Sequence, residues 1–298
     1  MNQPSSLYSL GWWRAGLWCA RLFPPALLMP VARCLARLYW LLAPHRRKVL
    51  IRNLLPAVNG DSAAARRTAR RLMGNFGTKL VDLFRYESGR NISDLFGEST
   101  GWEHLLKARD QKRGVLVVTC HLGNWELGGP WLTRKGMSLQ VITLAEPGVD
   151  FTALRQQSRA RWNIDTLVIG SDPFAIVDVI RRLENGAMVA LLVDRPPAGS
   201  AMKVNLFGQP FAASVAAAEL ARASGCAIVP VYLPRAGDNY EAHVLPEVEY
   251  DRSALRDRAA SRELTQRIMT AFEPVLRERL DQWYHFVPIW PENEHDIS

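Results

Sequence analysis

Cysteine is scarce in this chain of 298 residues, and the signatures of several enzyme classes are missing. The four cysteines, Cys19, Cys34, Cys120 and Cys226, include no CxxC pair, and no disulfide is needed, so a reducing, cytoplasmic setting fits. The sequence has no Walker A loop and no HExxH motif, which removes the usual supports for phosphoryl transfer and zinc hydrolysis. We therefore predict neither a metal nor a bound cofactor.

Acidic residues are outnumbered: the chain has 29 Asp and Glu and 37 Lys and Arg, which gives a formal net charge of +8. Basic chains commonly bind nucleic acid or anionic lipid. No zinc-finger, helix-turn-helix or RNA-recognition pattern occurs, so no nucleic-acid partner is predicted. The basic cluster at residues 45–48 instead indicates an anionic membrane surface on the cytoplasmic side.

The first 45 residues lack a long uninterrupted hydrophobic run. Their least charged part, residues 15–32, still contains Arg21 and the pair Pro24-Pro25, a poor span for a bilayer core of about 30 Å. Tryptophans and arginines are spaced along the segment, and both suit the headgroup region. We predict that residues 1–45 associate with the membrane by lying in its interface, with a single tilted membrane helix or a buried helical hairpin as alternatives. A cleaved signal peptide is disfavoured.

From residue 46 onward, strand-like and helix-like segments alternate, and no repeat or low-complexity linker divides them. This pattern predicts one α/β domain over residues 46–298, with a single largely parallel or mixed sheet flanked by helices. Strands are predicted at 138–144, 165–169, 188–193 and 227–233, and helices at 151–161, 173–183 and 215–223. We expect residues 240–248 to form an antiparallel edge strand, and Pro274 to kink or divide a final helix over 261–280.

The most informative segment runs from His121 to Glu126. It follows an apolar run rich in β-branched residues, Gly114 to Thr119, which predicts a strand buried on both faces. Gly123 permits a tight turn and Asn124 suits an N-cap, so Glu126 would lie in the first turn of the next helix.

This geometry places His121 at the carboxyl edge of the sheet, where such folds bind ligands. A carboxylate that binds one imidazole nitrogen fixes the tautomer and makes the other nitrogen a better base. We therefore predict that Glu126 orients His121 and that His121 deprotonates a hydroxyl or water. The alternative is that His121 only caps a turn and Glu126 complements a helix N-terminus.

The stretch His121-Leu122-Gly123-Asn124-Trp125-Glu126 resembles the motif of the lysophospholipid acyltransferase-like superfamily, in which four residues separate a histidine from an acidic residue. In this chain the acidic residue is a glutamate preceded by an aromatic residue. This form of the motif resembles that of the branch containing late lipid A biosynthesis (lauroyl/myristoyl) acyltransferases and phosphatidylinositol mannoside acyltransferases. Further blocks follow in that family's order, at residues 46–56, 190–197, 204–211 and 282–286. The resemblance spans about residues 46 to 290.

The resemblance implies that residues 46–298 are an acyltransferase catalytic domain at the cytoplasmic face of a bacterial inner membrane. A fatty acyl chain would pass from an acyl carrier protein or coenzyme A thioester to a hydroxyl of a lipid A precursor or related glycolipid. No covalent acyl-enzyme is required. The family carries an arginine segment that Arg159 and Arg161 resemble, and either could bind a phosphate or stabilise an oxyanion, or both could be solvated.

Asp194 and Arg195 end a strand on the same predicted edge as His121, so they are predicted, with Asn124, to bind substrate; a surface ion pair is the alternative. Residues 193–197 and 286–290 depart from the commonest lipid A pattern. The acceptor could therefore be a lysophospholipid, an ornithine-type lipid or another glycolipid. A membrane-bound scaffold without activity is the remaining alternative.

Overall fold

The computed structural model describes residues 8–170, 174–197 and 199–291. Its α-helices are α1 (Leu10–Leu22), α2 (Pro25–Leu42), α3 (Pro44–Leu54), α4 (Ser62–Glu87), α5 (Trp102–Asp110), α6 (Gly128–Arg134), α7 (Val149–Ala160), α8 (Phe174–Glu184), α9 (Ala216–Ser224) and α10 (Arg258–Glu278). Its strands are β1 (Phe96–Thr100), β2 (Val115–Thr119), β3 (Leu139–Leu144), β4 (Ile164–Ile169), β5 (Met188–Leu192), β6 (Ala201–Leu206), β7 (Gln209–Ser214), β8 (Ala227–Tyr232), β9 (Arg235–Ala236) and β10 (Asn239–Val244).

The main sheet has the strand order β1-β10-β8-β2-β5-β3-β4, and β9 pairs with β10. The pairs on this path are parallel except β10 with β8, which confirms the predicted largely parallel sheet. Strands β6 and β7 form a separate antiparallel hairpin. The antiparallel strand predicted over residues 240–248 is confirmed as β10, but its predicted edge position is wrong, because β1 lies outside it. β1 is mostly exposed, so it lacks the apolar pattern that would have predicted it.

Strand β2 lies in the middle of the sheet, and both of its faces are buried. Leu116 and Val118 point into the core that α8, α9 and α10 cover. Val115 and Val117 point into the core that α5, α6 and α7 cover. The two-sided burial predicted from the apolar run is therefore confirmed, and the site at the end of β2 rests on a rigid strand.

Helix α10 runs without a break through Pro274, so the expected division at this proline is wrong. Proline removes one helical hydrogen bond. Phe272, Val275 and Leu276 are buried on either side of it, and their packing holds the helix together.

The amino-terminal helices have one packed face and one exposed face. On α1, Trp13 and Leu17 are buried, whereas 62% of Trp12 and 58% of Trp18 are exposed. α2 packs along α4, where a Cβ at Gly77 would lie 2.9 Å from the Ala32 carbonyl oxygen.

The outer face of α2 carries a leucine-rich stripe: Leu27, Val31, Leu35, Leu38 and Leu42. Within the described ranges, α2 is the one helix with the length and mean hydropathy, 1.2 over 18 residues, to cross a membrane.

Candidate active site

The predicted turn is present at the end of β2. His121 lies two residues past Thr119, and 15% of its side chain is exposed. Gly123 has a φ of 61°, and a Cβ there would lie 1.9 Å from the Leu233 carbonyl oxygen, so the turn requires glycine. The Asn124 N–H donates to the same carbonyl at 2.9 Å. The turn therefore fixes the motif against the chain that follows β8.

The chain after the turn differs from the predicted helix start. Trp125–Leu127 is a 3₁₀ turn, and α6 begins at Gly128. Asn124 occupies the cap position but makes no side-chain capping hydrogen bond. Its side chain is fully buried, and neither of its polar atoms has a hydrogen-bond partner among the described residues. The role of Asn124 in substrate binding stays a prediction.

A second strand end supplies the partner of His121. β5 ends at Leu192, and Asp194 lies two residues beyond it with a fully buried side chain. Because β5 pairs in parallel with β2, both strands end at the same edge of the sheet. His121 Nδ1 lies 2.7 Å from Asp194 Oδ1, and the His121 backbone N–H donates to Oδ2 at 2.9 Å. Asp194 thus lies on the predicted edge of the sheet, its contact with His121 was not predicted, and its role in substrate binding stays a prediction.

The carboxyl-terminal segment adds two donors to this carboxylate. Trp283 Nε1 donates to Asp194 Oδ2 at 2.8 Å, and His285 Nε2 lies 2.9 Å from the same oxygen. Asn53 on α3 holds the segment, since its amide donates to the carbonyl oxygens of His285 and Val287 at 3.0 and 2.8 Å. The block at residues 46–56 thus contacts the carboxyl-terminal block, which in turn donates to Asp194.

The electrostatics of this cluster make Asp194 a charged acceptor. Burial by itself would raise the pKa of Asp194, but the imidazoles of His121 and His285 outweigh burial and hold the pKa well below its usual value. Burial lowers the pKa of His285. An ionised carboxylate only accepts hydrogen bonds, so His121 Nδ1 carries a proton, and Nε2 is the nitrogen that holds the lone pair in the neutral ring. No described residue hydrogen-bonds to His121 Nε2.

Glu126 binds different partners from the one predicted. Arg155 Nη2 lies 2.6 Å from Glu126 Oε1, and Arg159 Nη2 lies 3.1 Å from Oε2. Across the described ranges, no hydrogen bond joins Glu126 to His121. The expectation that Glu126 orients His121 is therefore corrected, because the two arginines of α7 occupy both carboxylate oxygens and Asp194 takes the imidazole.

Arg155 and Arg159 are only 5% and 4% exposed. Arg155 also binds Glu87, and its Nε lies 3.4 Å from a carboxylate oxygen of Glu146. Burial lowers the pKa of Arg155 to about 9, which leaves this guanidinium charged at neutral pH. Glu126 is thus one member of a buried network in which arginines and glutamates alternate.

The other predicted binding residues lie apart from this network's centre. Arg161 Nη1 donates to the backbone carbonyl of Glu87 at 2.9 Å, so Arg159 is the member of the predicted pair that faces Glu126. Arg195 is exposed and makes no hydrogen bond within the described part of the chain. The binding roles of Arg161 and Arg195 stay predictions.

Sequence reasoning missed three residues of the site: Arg155, Trp283 and His285. Arg155 and Arg159 are four residues apart in the helix predicted over 151–161, and this spacing places them on one face, so Arg155 could have been found. Trp283 and His285 lie 89 and 91 residues after Asp194. No local pattern connects positions that far apart.

A buried lysine lies beside the motif. The rings of His121 and Trp125 are 4.8 Å apart between centroids, and Lys79 Nζ lies 3.2 Å from the centroid of Trp125. Burial lowers the pKa of Lys79 to about 7, and the charge of Glu126 opposes that shift. Lys79 therefore titrates in the neutral range.

A cavity of about 90 Å³ lies beside the motif. Its walls are mostly apolar and come from β2, β3 and β5, with Val117, Val141 and Leu192 among them. Trp125, Glu126 and Arg159 also line it, whereas His121 does not. The charged network thus borders an apolar space.

The sequence predicts no metal, but three residues of the site are close enough together to be considered as metal ligands. His121, Asp194 and His285 each offer a ligand atom, and these atoms lie within 4.8 Å of one another. However, Trp283 Nε1, which can only donate, points at the Asp194 oxygen that also faces His285. This donor set fits a hydrogen-bonded cluster rather than a cation site.

The sequence contains one hydrolase pattern that the sequence analysis did not recognise. Gly97-Glu98-Ser99-Thr100-Gly101 has the spacing of a lipase nucleophile elbow. Ser99 lies within the outer strand β1, paired with Ala242, and none of the described histidines hydrogen-bonds to its hydroxyl. Its neighbour Thr100 contacts His243 Nδ1 at 2.8 Å instead. The serine therefore lacks the base that an elbow requires.

Comparison with known proteins agrees with the family resemblance of the sequence motifs. The sequence model of the family described as bacterial lipid A biosynthesis acyltransferase matches residues 4–291. The chain is similar to the phosphatidylinositol mannoside acyltransferase of Mycolicibacterium smegmatis, with 26% identity over 63% of this chain and 60% of that protein. The enzyme of the same name from Mycobacterium tuberculosis is 25% identical over 64% of this chain and 58% of its own length. The match thus spans about three fifths of each relative.

Proposed function

Since this chain belongs to the bacterial lipid A biosynthesis acyltransferase family, we propose that it moves a fatty acyl chain from a thioester to a hydroxyl of a membrane lipid. The observation that carries this proposal is the pair formed by His121 and the ionised Asp194. His121 Nδ1 is committed to Asp194, and Nε2 is available to a substrate. Such a pair is a general base without a nucleophile of its own, as direct acyl transfer requires.

In the proposed reaction, His121 Nε2 takes the proton of the acceptor hydroxyl. The oxygen attacks the thioester carbonyl, and the tetrahedral intermediate collapses with cleavage of the carbon–sulfur bond. The thiolate then takes the proton back from His121. Asp194 stabilises the imidazolium between these steps, since its carboxylate contacts the His121 ring directly and its pKa is held well below the usual value.

In this proposal, the network around Glu126 acts on the thioester carbonyl, which is the group that the acceptor oxygen attacks. Arg159 borders the apolar cavity with its charge held in place by Glu126, so it can stabilise the oxyanion that develops on the thioester carbonyl. The apolar walls beside it suit the first part of the acyl chain. The role assigned to Glu126 is thus to hold the arginines.

The donor is an acyl carrier protein or coenzyme A conjugate, and the acceptor is a lipid A precursor or related glycolipid. The glycolipid is favoured because two relatives carry the name phosphatidylinositol mannoside acyltransferase. A lysophospholipid or ornithine-type lipid is the alternative acceptor.

We place the protein at the cytoplasmic face of a bacterial inner membrane, with α1 and α2 lying in the interface. α2 packs lengthwise on α4, and Arg33 Nε donates to Thr78 Oγ1 at 3.4 Å. The exposed surface of α2 carries the leucine stripe together with Arg33 and Arg37, a combination that suits interfacial binding.

The test uses purified full-length protein in mixed micelles with lauroyl-CoA or lauroyl carrier protein and a panel of acceptors: a lipid A precursor, a phosphatidylinositol mannoside and a lysophospholipid. We expect acylation of one acceptor, and we expect His121→Ala to reduce it about 10²- to 10⁴-fold, the usual contribution of a general base. His104→Ala, in α5, is the control and should retain full activity.

Lipid mass spectrometry of cells with and without the protein identifies the acceptor. Absence of transfer from both donors to all three acceptors would reject the enzymatic proposal. Full activity of His121→Ala would reject the assigned base.

A further inference from the structure

Helix α1 and Tyr8, which precedes it, reach the charged network through two hydrogen bonds. Trp13 Nε1 donates to Glu87 Oε2 at 2.6 Å, and the Tyr8 hydroxyl donates to Glu146 Oε2 at 2.5 Å. Trp13 is 6% exposed, although its neighbour Trp12 is 62% exposed. The helix that turns one tryptophan outward therefore places the next one inside the domain.

Both carboxylates, Glu87 bound by Trp13 and Glu146 bound by Tyr8, also contact Arg155. Glu87 binds Nη1, Glu146 lies 3.4 Å from Nε, and the remaining nitrogen, Nη2, binds Glu126 at 2.6 Å. The Arg155 guanidinium also stands 4.9 Å from the centroid of the Trp13 ring. Two of the three carboxylates around this guanidinium, Glu87 and Glu146, are thus bound by Trp13 and Tyr8, and the third is Glu126 itself.

The burial of these groups couples their positions. The side chain of Glu87 is completely buried, and that of Arg155 is 6% exposed. If α1 moved away, Glu87 would lose a donor in a place that water reaches poorly, which is unfavourable for a buried charge. Arg155 would then be free to change its orientation. The carboxylate of Glu126, which is bound to Arg155, would move with it.

We propose that Trp13 and Tyr8 are positioning residues, which fix Arg155 through Glu87 and Glu146 and thereby hold Glu126 in the site. The amino-terminal helix is then part of the catalytic structure as well as a membrane contact. The role in turnover rests on the proposed acyltransferase function, whereas the coupling between Trp13 and Glu126 does not.

The first experiment compares Trp13→Phe with Trp102→Phe in the full-length protein. Trp13→Phe keeps an aromatic ring but removes the N–H that binds Glu87. We expect kcat to fall about 10-fold, the equivalent of one hydrogen bond to a charged group, with KM and the membrane-bound fraction unchanged. Trp102, in α5, makes no indole hydrogen bond within the described ranges, and Trp102→Phe should retain full activity. Equal activity of the two variants would overturn the proposal.

The second experiment is a double-mutant cycle. If Trp13 acts through Arg155 and Glu126, Trp13→Phe should lower kcat little further in a Glu126→Gln background. It should lower kcat by its full factor in an Asn53→Ala background, which alters the Asp194 side of the site. Additive effects in both backgrounds would overturn the proposal.

The same cycle measured as the unfolding midpoint in denaturant does not depend on activity. Trp13→Phe and Glu126→Gln should together shift the midpoint by less than the sum of their separate shifts. If the wild-type protein transfers no acyl group, the proposed function fails and this measurement alone decides the coupling. If Trp13→Phe does not fold, Tyr8→Phe, which removes the bond to Glu146, takes its place in both cycles.

Discussion

The buried Asp194 and the part-buried Glu126 lie at the same edge of the sheet, but the charge of their neighbours differs. Asp194 receives hydrogen bonds from two imidazoles, an indole and a backbone amide. Glu126 lies between two guanidinium groups. No arginine in the described ranges hydrogen-bonds to Asp194, so its charge is available to His121, whereas two arginines offset the charge of Glu126. The two carboxylates therefore have different roles, and these roles depend on the residues that hydrogen-bond to them.

The largest effect that tests this comparison is expected from Asp194→Asn. The amide cannot accept from all four donors and cannot stabilise an imidazolium, so kcat should fall about 10²- to 10⁴-fold. Steady-state kinetics on folded, membrane-bound protein measures the loss. The control is Asp165→Asn, which alters an exposed ion pair with Arg182 and should be neutral. Near-normal turnover of Asp194→Asn would refute its assigned role.

Glu126→Gln should reduce kcat less, by about 10- to 10²-fold, since glutamine still accepts hydrogen bonds from Arg155 and Arg159. Its main effect should be on stability, a loss of up to about 3–5 kcal/mol, because buried arginines lose a countercharge. Denaturant unfolding and kinetics on the same sample separate the two effects. Glu219→Gln, on the surface of α9, should change neither. If Glu126→Gln reduced kcat as much as Asp194→Asn, Glu126 would act on His121 after all.

Asn53→Ala tests the link that holds the donors of Asp194. The side chain of Asn53 is buried and donates to two carbonyls of the carboxyl-terminal segment. Leaving them unsatisfied should cost about 1–3 kcal/mol in the free energy of unfolding and reduce activity several-fold. Asn75→Ala removes one part-buried hydrogen bond, to Asp281, and should cost less. Equal losses in denaturant unfolding would mean that Asn53 has no special role.

Lys79→Met should have the smallest effect, one on the pH dependence of stability. The folded-state pKa of about 7 lies below the usual 10.5, so between these values the unfolded chain binds more protons and stability rises with pH. The slope is at most about 1.4 kcal/mol per pH unit. Unfolding at pH 7 and pH 8.5 should show this rise in the wild type and a smaller one in Lys79→Met. Lys135→Met, at an exposed lysine near Trp102, should keep it.

The elements that the sequence predicted well are those with a local pattern. The apolar run before His121 predicted β2, and Gly123 predicted the turn. The strand over Phe96–Thr100 was missed because it is mostly exposed and carries no such pattern. Pro274 did not divide α10, because burial on both sides of it outweighs one lost hydrogen bond.

By itself, the sequence determined the kind of sheet and the position of His121 at its carboxyl edge. It did not distinguish the tryptophans of the amino-terminal segment, of which Trp12 is exposed and Trp13 is buried. Only the tertiary structure decided which carboxylate serves the histidine. Glu126 is five positions from His121, but Asp194, 73 positions away, holds its ring. Hydrogen bonds between distant segments depend on how strands and helices pack, and that packing brought Asp194 to His121 and two arginines to Glu126.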